Sequence, residues 1–156
     1  MSIAAWACGI GGSAAVLGSF GHWVRATLSD RGAQLLVVTR SGWDLPPSGQ
    51  VVFTLGLVTL GCVLLSDPGD GRRWPRIAPP ITGAAVIAVT VDRIGAARPI
   101  AHIIGRMRIG TFQTDHPTAT TGTGFGLWIC LAGGALMLVA GTAWLILDRS
   151  TGTRTP

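Results

Sequence analysis

The chain has 156 residues, the size of one domain, and 48% of them are hydrophobic against 12% charged, about half the charged fraction of a soluble domain. All 12 basic residues are Arg and all 7 acidic residues are Asp, which argues against a soluble helical protein, because its water-facing surfaces would lack the usual Lys and Glu. The net charge of +5 comes from Arg scattered singly or in pairs, which argues against nucleic acid and makes anionic lipid headgroups the expected counterpart.

The first apolar segment, Ile3 to Phe20, predicts a helix over about residues 3–22. It has no positively charged leader, and glycines run through its apolar stretch, so a retained helix is expected in place of a cleaved signal peptide. Ala7, Gly11, Ala15 and Ser19 recur every four positions, a spacing that lets two helix backbones approach closely in lipid. The stripe is expected to pack against another helix of the same chain, although a partner's helix would fit it equally well. Trp23 follows at the outer end as an interface anchor, with His22 as a polar boundary residue and Arg25 just beyond. In the loop after it, Val24–Leu28 and Leu35–Thr39 have the β-branched content of strands, the second closed by the Ser41-Gly42 turn and a proline pair.

The second apolar core, Val51 to Leu65, is short for a bilayer, which needs roughly 20 helical residues. Borrowing Ser48, Gly49 and Gln50 at one end and Ser66 at the other extends it, and a helix is expected over about 49–66. The third, Ile77 to Val91, is also short and is preceded by Trp74, an interface anchor, and by Arg76. Pro79 and Pro80 fall in its first turn, where missing amide donors cost least, so a helix over about 76–93 is predicted. Asp92 and Arg93 end it, and Asp92 continues an Ala84, Ala88 stripe expected to face a neighbour. A charge at the edge of a span is costly unless paired, so Asp92, Arg93 and His22 are candidates for a polar vestibule, or Asp92 and Arg93 for a paired helix end that fixes depth.

In the third loop Arg106–Thr114 reads as a strand and the Thr-rich "TDHPTATTGTG" after it as a flexible linker. The fourth apolar segment predicts a helix over about 124–147, with Gly126, Cys130 and Gly134 at four-residue spacing on its packing side. The tail, 148–156, reads as disordered.

Reactive constellations are scarce. GxSxG, HExxH, P-loop and strand-linked GxGxxG patterns are absent, and there is no Glu for a carboxylate pair. Cys8, Cys62 and Cys130 each sit in an apolar run without CxxC spacing, as small apolar fillers. His22, His102 and His116 are isolated, and Asp115-His116 has no further ligand nearby, so neither a metal nor another cofactor is expected.

"LGSFGHW" closing the first helix, "SGWD" followed by "GQVVFTLGLVTLGCVLL", and "GTGFGLWICLAGGALMLVAG" in the fourth resemble a group of small actinobacterial four-helix membrane proteins, in the style of the tryptophan-associated transmembrane proteins. The resemblance covers most of the chain. It implies the four-helix architecture and carries no activity onto particular residues.

The expectation is therefore an all-α membrane protein in one domain, residues 1–147, with four transmembrane helices and a small extracytoplasmic β cap from the first and third loops. The short Ser66–Arg76 connection holds three Arg and the tail adds Arg149 and Arg154. This density near the membrane places both termini and the short loop in the cytoplasm of a bacterial plasma membrane. The expected role is non-catalytic, as an envelope component or accessory subunit binding lipid, a membrane protein partner or a second copy of itself. A small transporter or ligand-binding protein with a polar vestibule at the outer face is the alternative.

Overall fold

Small residues decide how closely the helices of this chain approach. The computed structural model describes residues 3–30, 33–66, 74–104 and 118–152, with side chains over 3–27, 37–66, 77–95 and 122–147. Its elements are, in order, α1 (Ile3–Phe20), β1 (His22–Asp30), β2 (Ala33–Ser41), α2 (Ser48–Leu64), α3 (Trp74–Ile104), β3 (Thr118–Thr123) and α4 (Phe125–Gly152). Three helical stretches, Ile3–Phe20, Ile77–Gly95 and Phe125–Leu147, are long and apolar enough to cross a membrane, and α2 is a shorter apolar helix of 17 residues.

Helix α1 lies between α2 and α4, and α3 packs on α4 and α2. Against α4, a methyl group added at Gly11 would come within 2.8 Å of the Gly133 carbonyl oxygen, and one at Gly18 within 2.6 Å of Cys130 Sγ. On the other side of α1, a methyl at Gly12 would come within 3.2 Å of the Gly56 carbonyl oxygen of α2. Gly83 of α3 meets Gly134 and Leu138 of α4. Backbone-to-backbone approach of this kind brings many atoms of the paired helices into van der Waals contact. Between α2 and α3 the contact is polar: Thr59 Oγ1 and Thr82 Oγ1 share a hydrogen bond of 2.7 Å, buried in the bundle. The core is filled by Ala15, Trp23, Val52, Val86, Leu127, Cys130 and Met137.

A three-stranded antiparallel sheet of order β2-β1-β3 covers one end of the bundle. The sequence-derived strands Val24–Leu28 and Leu35–Thr39 fall within β1 and β2. The expected strand Arg106–Thr114 lies outside the described residues. The third strand is instead Thr118–Thr123, from the stretch read as a linker; it pairs with β1 from Val24↔Thr123 to Ser29↔Thr118. Threonine is β-branched and suits a strand, but nothing in "TATTGT" alternates, so only the free edge of β1 reveals its role.

Two helices run past their expected ends. α3 continues beyond residue 93 through Pro99 to Ile104. α4 continues to Gly152, which corrects the expectation of disorder for residues 148–152; residues 153–156 lie outside the described part.

Candidate functional site

The chain leaves α1 at Gly21 and enters β1 at His22, so strand alternation, not helix periodicity, sets the next side chains. Trp23 turns inward and is 0% exposed. Its indole Nε1 donates to the carbonyl oxygen of Gly18 at 2.9 Å, one of the α1 carbonyls that lack a helical partner. Around it, Gly42 N–H donates to Gly21 O and Gly124 N–H to Trp23 O. Gly42 packs on the indole so closely that any side chain there would overlap it. The expectation of Trp23 as a lipid-facing anchor is thus corrected: the reversal at Gly21 folds the ring under the sheet. Trp74 opens α3, and its side chain lies outside the described set.

Other aromatics are half-exposed at this end of the bundle. Phe20 stacks on Trp43 with ring centroids 5.4 Å apart, and Phe53 meets both rings edge-on at 5.5 Å. Trp43 is 43% exposed. The turn carrying it is closed at both ends: Asp44 Oδ2 accepts from Ser41 N–H and Ser41 Oγ, and Asp44 N–H donates to the Ser41 carbonyl and hydroxyl oxygens. The Ser41 hydroxyl and amide, with a smaller contribution from the Arg40 charge, hold the Asp44 carboxyl below the usual carboxylate range.

Beside this turn, on the sheet, lies a recess of about 380 Å³ lined by His22, Arg25, Val37, Thr39, Gly122, Thr123, Gly124 and Phe125. Register builds it: Arg25 pairs with Thr39 of β2 on one side and with Gly122 of β3 on the other. Arg25, His22, Thr39 and Thr123 are all exposed. The His22 and Phe125 rings lie 5.8 Å apart. Trp128 Nε1 donates to Thr123 Oγ1 at 3.3 Å, which leaves the threonine proton free to donate elsewhere. Among the described residues no carboxylate lines the recess. A second, larger groove of about 500 Å³ runs between α1 and α2; apart from the Ser13 hydroxyl, the described side chains that line it are apolar, with Trp6, Ile10, Leu17 and Leu64 among them.

The three candidate vestibule residues are not brought together. His22 lines the recess, and Asp92 and Arg93 do not. Asp92 is exposed, whereas Arg93 is partly buried with its Nε enclosed and without a hydrogen-bond partner; no ion pair joins the two among the described residues. The Ala84, Ala88, Asp92 stripe faces outward, contrary to the expectation that it meets a neighbour. Gly83, Val86 and Thr90 take the inner face instead, because α4 can approach α3 closely only where Gly83 stands opposite Gly134. The small residues Gly11, Ala15 and Ser19 of α1 and Gly126, Cys130 and Gly134 of α4 are all buried. Gly11 and Gly126 face each other's helices directly, and Cys130 Sγ lies 3.7 Å from the Ala15 carbonyl oxygen. Gly134 lies against α3. Among the described residues no three His, Cys or Asp side chains converge.

Sequence reading placed Arg25 beyond the helix end, Thr39 at the end of a strand, and Gly122 and Thr123 in a glycine-rich entry to the fourth helix, and did not bring them together. The available signal was strand alternation, which sets Arg25 and Thr39 on one pleat once the hairpin register is known. The chain matches no protein-family model and no curated protein.

Proposed function

We propose that this chain is a non-catalytic integral protein of a bacterial plasma membrane, its four helices inserted, both termini cytoplasmic, and its outer sheet forming a docking platform for lipid or a partner protein. The observation that carries this reading is the placement of half-exposed aromatic rings at the two ends of the bundle. Phe20, Trp43, Phe125 and Trp128 lie at the sheet end and Trp6 at the other. Such rings prefer the two interfaces of a bilayer. From Trp6 to Phe20 along α1 is about 21 Å of helix rise, close to the hydrocarbon thickness once ring reach is added. Between them most outward residues are apolar, among them Ile10, Leu17, Leu57, Ile81, Leu136 and Val139, while the exposed Thr54 hydroxyl donates to Val51 O of its own helix. Helix α2 spans about 25 Å, a shortfall that local thinning at the Phe20–Trp43–Phe53 cluster accommodates.

The small-residue faces of α1 and α4 are occupied within the chain, which leaves the outer sheet as the better surface for a partner. The vestibule alternative loses support because His22 stands apart from Asp92 and Arg93.

Alkaline carbonate extraction combined with tags at both ends tests the reading. Retention in the membrane with both tags protected from external protease is the expected result. Release into the soluble fraction, or tags on opposite sides, refutes it.

A further inference from the structure

The recess on the sheet has the chemistry of an anion site. The Arg25 side chain is exposed and makes no hydrogen bond or ion pair with the described residues, and no carboxylate stands among the described lining groups. Arg presents a planar fork of donors suited to phosphate oxygens. Thr39 and Thr123 add hydroxyls on the same rim, and the Thr123 proton is free because its oxygen already accepts from Trp128. The recess also sits over the start of α4, whose first turn contains no acidic side chain, so the positive end of the helix dipole is uncompensated there.

One wall distinguishes the recess from a site for a soluble anion. Phe125 is 60% exposed and Trp128 54% exposed, and at helical spacing they continue into Ala132, Leu136 and Val139, an outward apolar track down α4. A ligand with a phosphate in the recess therefore has a hydrophobic path leading directly from it. Space is provided at Gly122, where an added methyl would meet nothing within 4 Å.

We infer that this recess binds the phosphodiester of an anionic membrane phospholipid, with Arg25 pairing to the phosphate, Thr39 and Thr123 donating to its oxygens, and an acyl chain lying along Phe125 and Trp128. The inference rests on the membrane setting proposed above and names the ligand class of its outer platform. Phosphate is the shared chemistry of lipid and soluble phosphate esters; the apolar track commits the site to the lipid.

The test is native mass spectrometry of the full-length protein released from bilayers containing phosphatidylglycerol and phosphatidylcholine. The wild type should retain phosphatidylglycerol in preference. Arg25→Ala should lower that preference by roughly tenfold, as loss of a charge-assisted contact implies. Gly122→Val, whose Cβ meets nothing within 4 Å, narrows the recess and should lower it as well. Arg40→Ala removes the same charge from the same cap outside the recess and should leave it unchanged. Soluble glycerol phosphate should not displace the lipid. The inference is overturned if the wild type shows no preference, if Arg25→Ala keeps it, if Arg40→Ala matches Arg25→Ala, or if glycerol phosphate competes. A protein that resists carbonate extraction yet shows no lipid preference would defeat this inference alone and leave the membrane reading standing.

Discussion

The indole of Trp23 and the carbonyl of Gly18 are joined by a 2.9 Å hydrogen bond in a fully enclosed site. This single contact ties the end of α1 to the first residues of the sheet. Gly18 O also accepts from Gly21 N–H at 3.1 Å, so the carbonyl keeps one donor if the indole is lost. Trp23→Phe should therefore cost only about 1 kcal/mol, the net worth of an ordinary hydrogen bond. Trp23→Ala, which empties the space between Gly42 and the core, should cost roughly 3–5 kcal/mol. Unfolding of the purified protein in mixed detergent with rising SDS, followed by circular dichroism, measures both. Equal losses for the two variants would show that the hydrogen bond, not the packing, dominates.

Thr59 and Thr82 make a second cross-element link, with a different expected strength. Each hydroxyl has a carbonyl of its own helix within reach, Leu55 O for Thr59 and Ala78 O or Pro79 O for Thr82. Removing one partner therefore leaves the other satisfied locally. Interhelical hydrogen bonds of this sort average about 0.6 kcal/mol in double-mutant cycles. The Thr59→Val, Thr82→Val cycle should give a coupling energy of about that size in the same SDS titration. A coupling several times larger would mean that the local carbonyls do not compensate.

Hydropathy located α1 and α4 outright, and α2 and α3 with the help of their flanking residues, because a long apolar run has few other uses. It failed at their ends, where composition turns polar while the helix continues, as in α3 beyond Arg93 and α4 beyond Leu147. It also failed where one residue's role depends on chain direction. Trp23 lies three residues after a helix end, the usual place of an anchor, but the turn at Gly21 sends it inward and leaves Trp43 as the exposed ring there. The strand Thr118–Thr123 was illegible for a related reason: its identity comes from pairing with β1, which no local pattern records. The recess inherits both difficulties, since Arg25, Thr39 and Gly122 become neighbours only through the register of three strands distant in sequence.

Two glycines should respond oppositely to alanine. At Gly18 the added methyl would lie 2.6 Å from Cys130 Sγ and 2.9 Å from the Gly126 carbonyl oxygen, and the backbone side of that contact cannot yield. Gly18→Ala should force α1 and α4 apart at a cost of about 1–3 kcal/mol. At Gly61, within α2, the same methyl meets nothing within 4 Å. Gly61→Ala should leave stability unchanged or raise it by up to about 1 kcal/mol, because alanine loses less backbone freedom in a helix. SDS unfolding midpoints of the two variants decide the matter, and destabilisation by Gly61→Ala would point to an interface on that face of α2.

Asp44 offers a pH test of the turn that carries Trp43. Its carboxyl titrates below the usual range because the ionised form accepts from the Ser41 hydroxyl and amide, with Arg40 adding a weaker attraction. A carboxylate with a depressed folded value contributes stability that is complete above its unfolded value, about 3.9, and fades as pH falls through the lower folded value. Asp44→Asn should consequently differ from the wild type by a constant amount near neutral pH. Below about pH 4 the difference should shrink, because the wild-type carboxyl then gains a proton as well. Hydrogen exchange at the amides of Ser41 and Asp44 reads the turn directly. Since the carboxyl is fully exposed, salt should reduce the Arg40 part while the Ser41 bonds persist. A variant difference that holds constant down to pH 2 would mean that the turn is closed by the Ser41 oxygens on the Asp44 amide and owes nothing to the carboxylate charge.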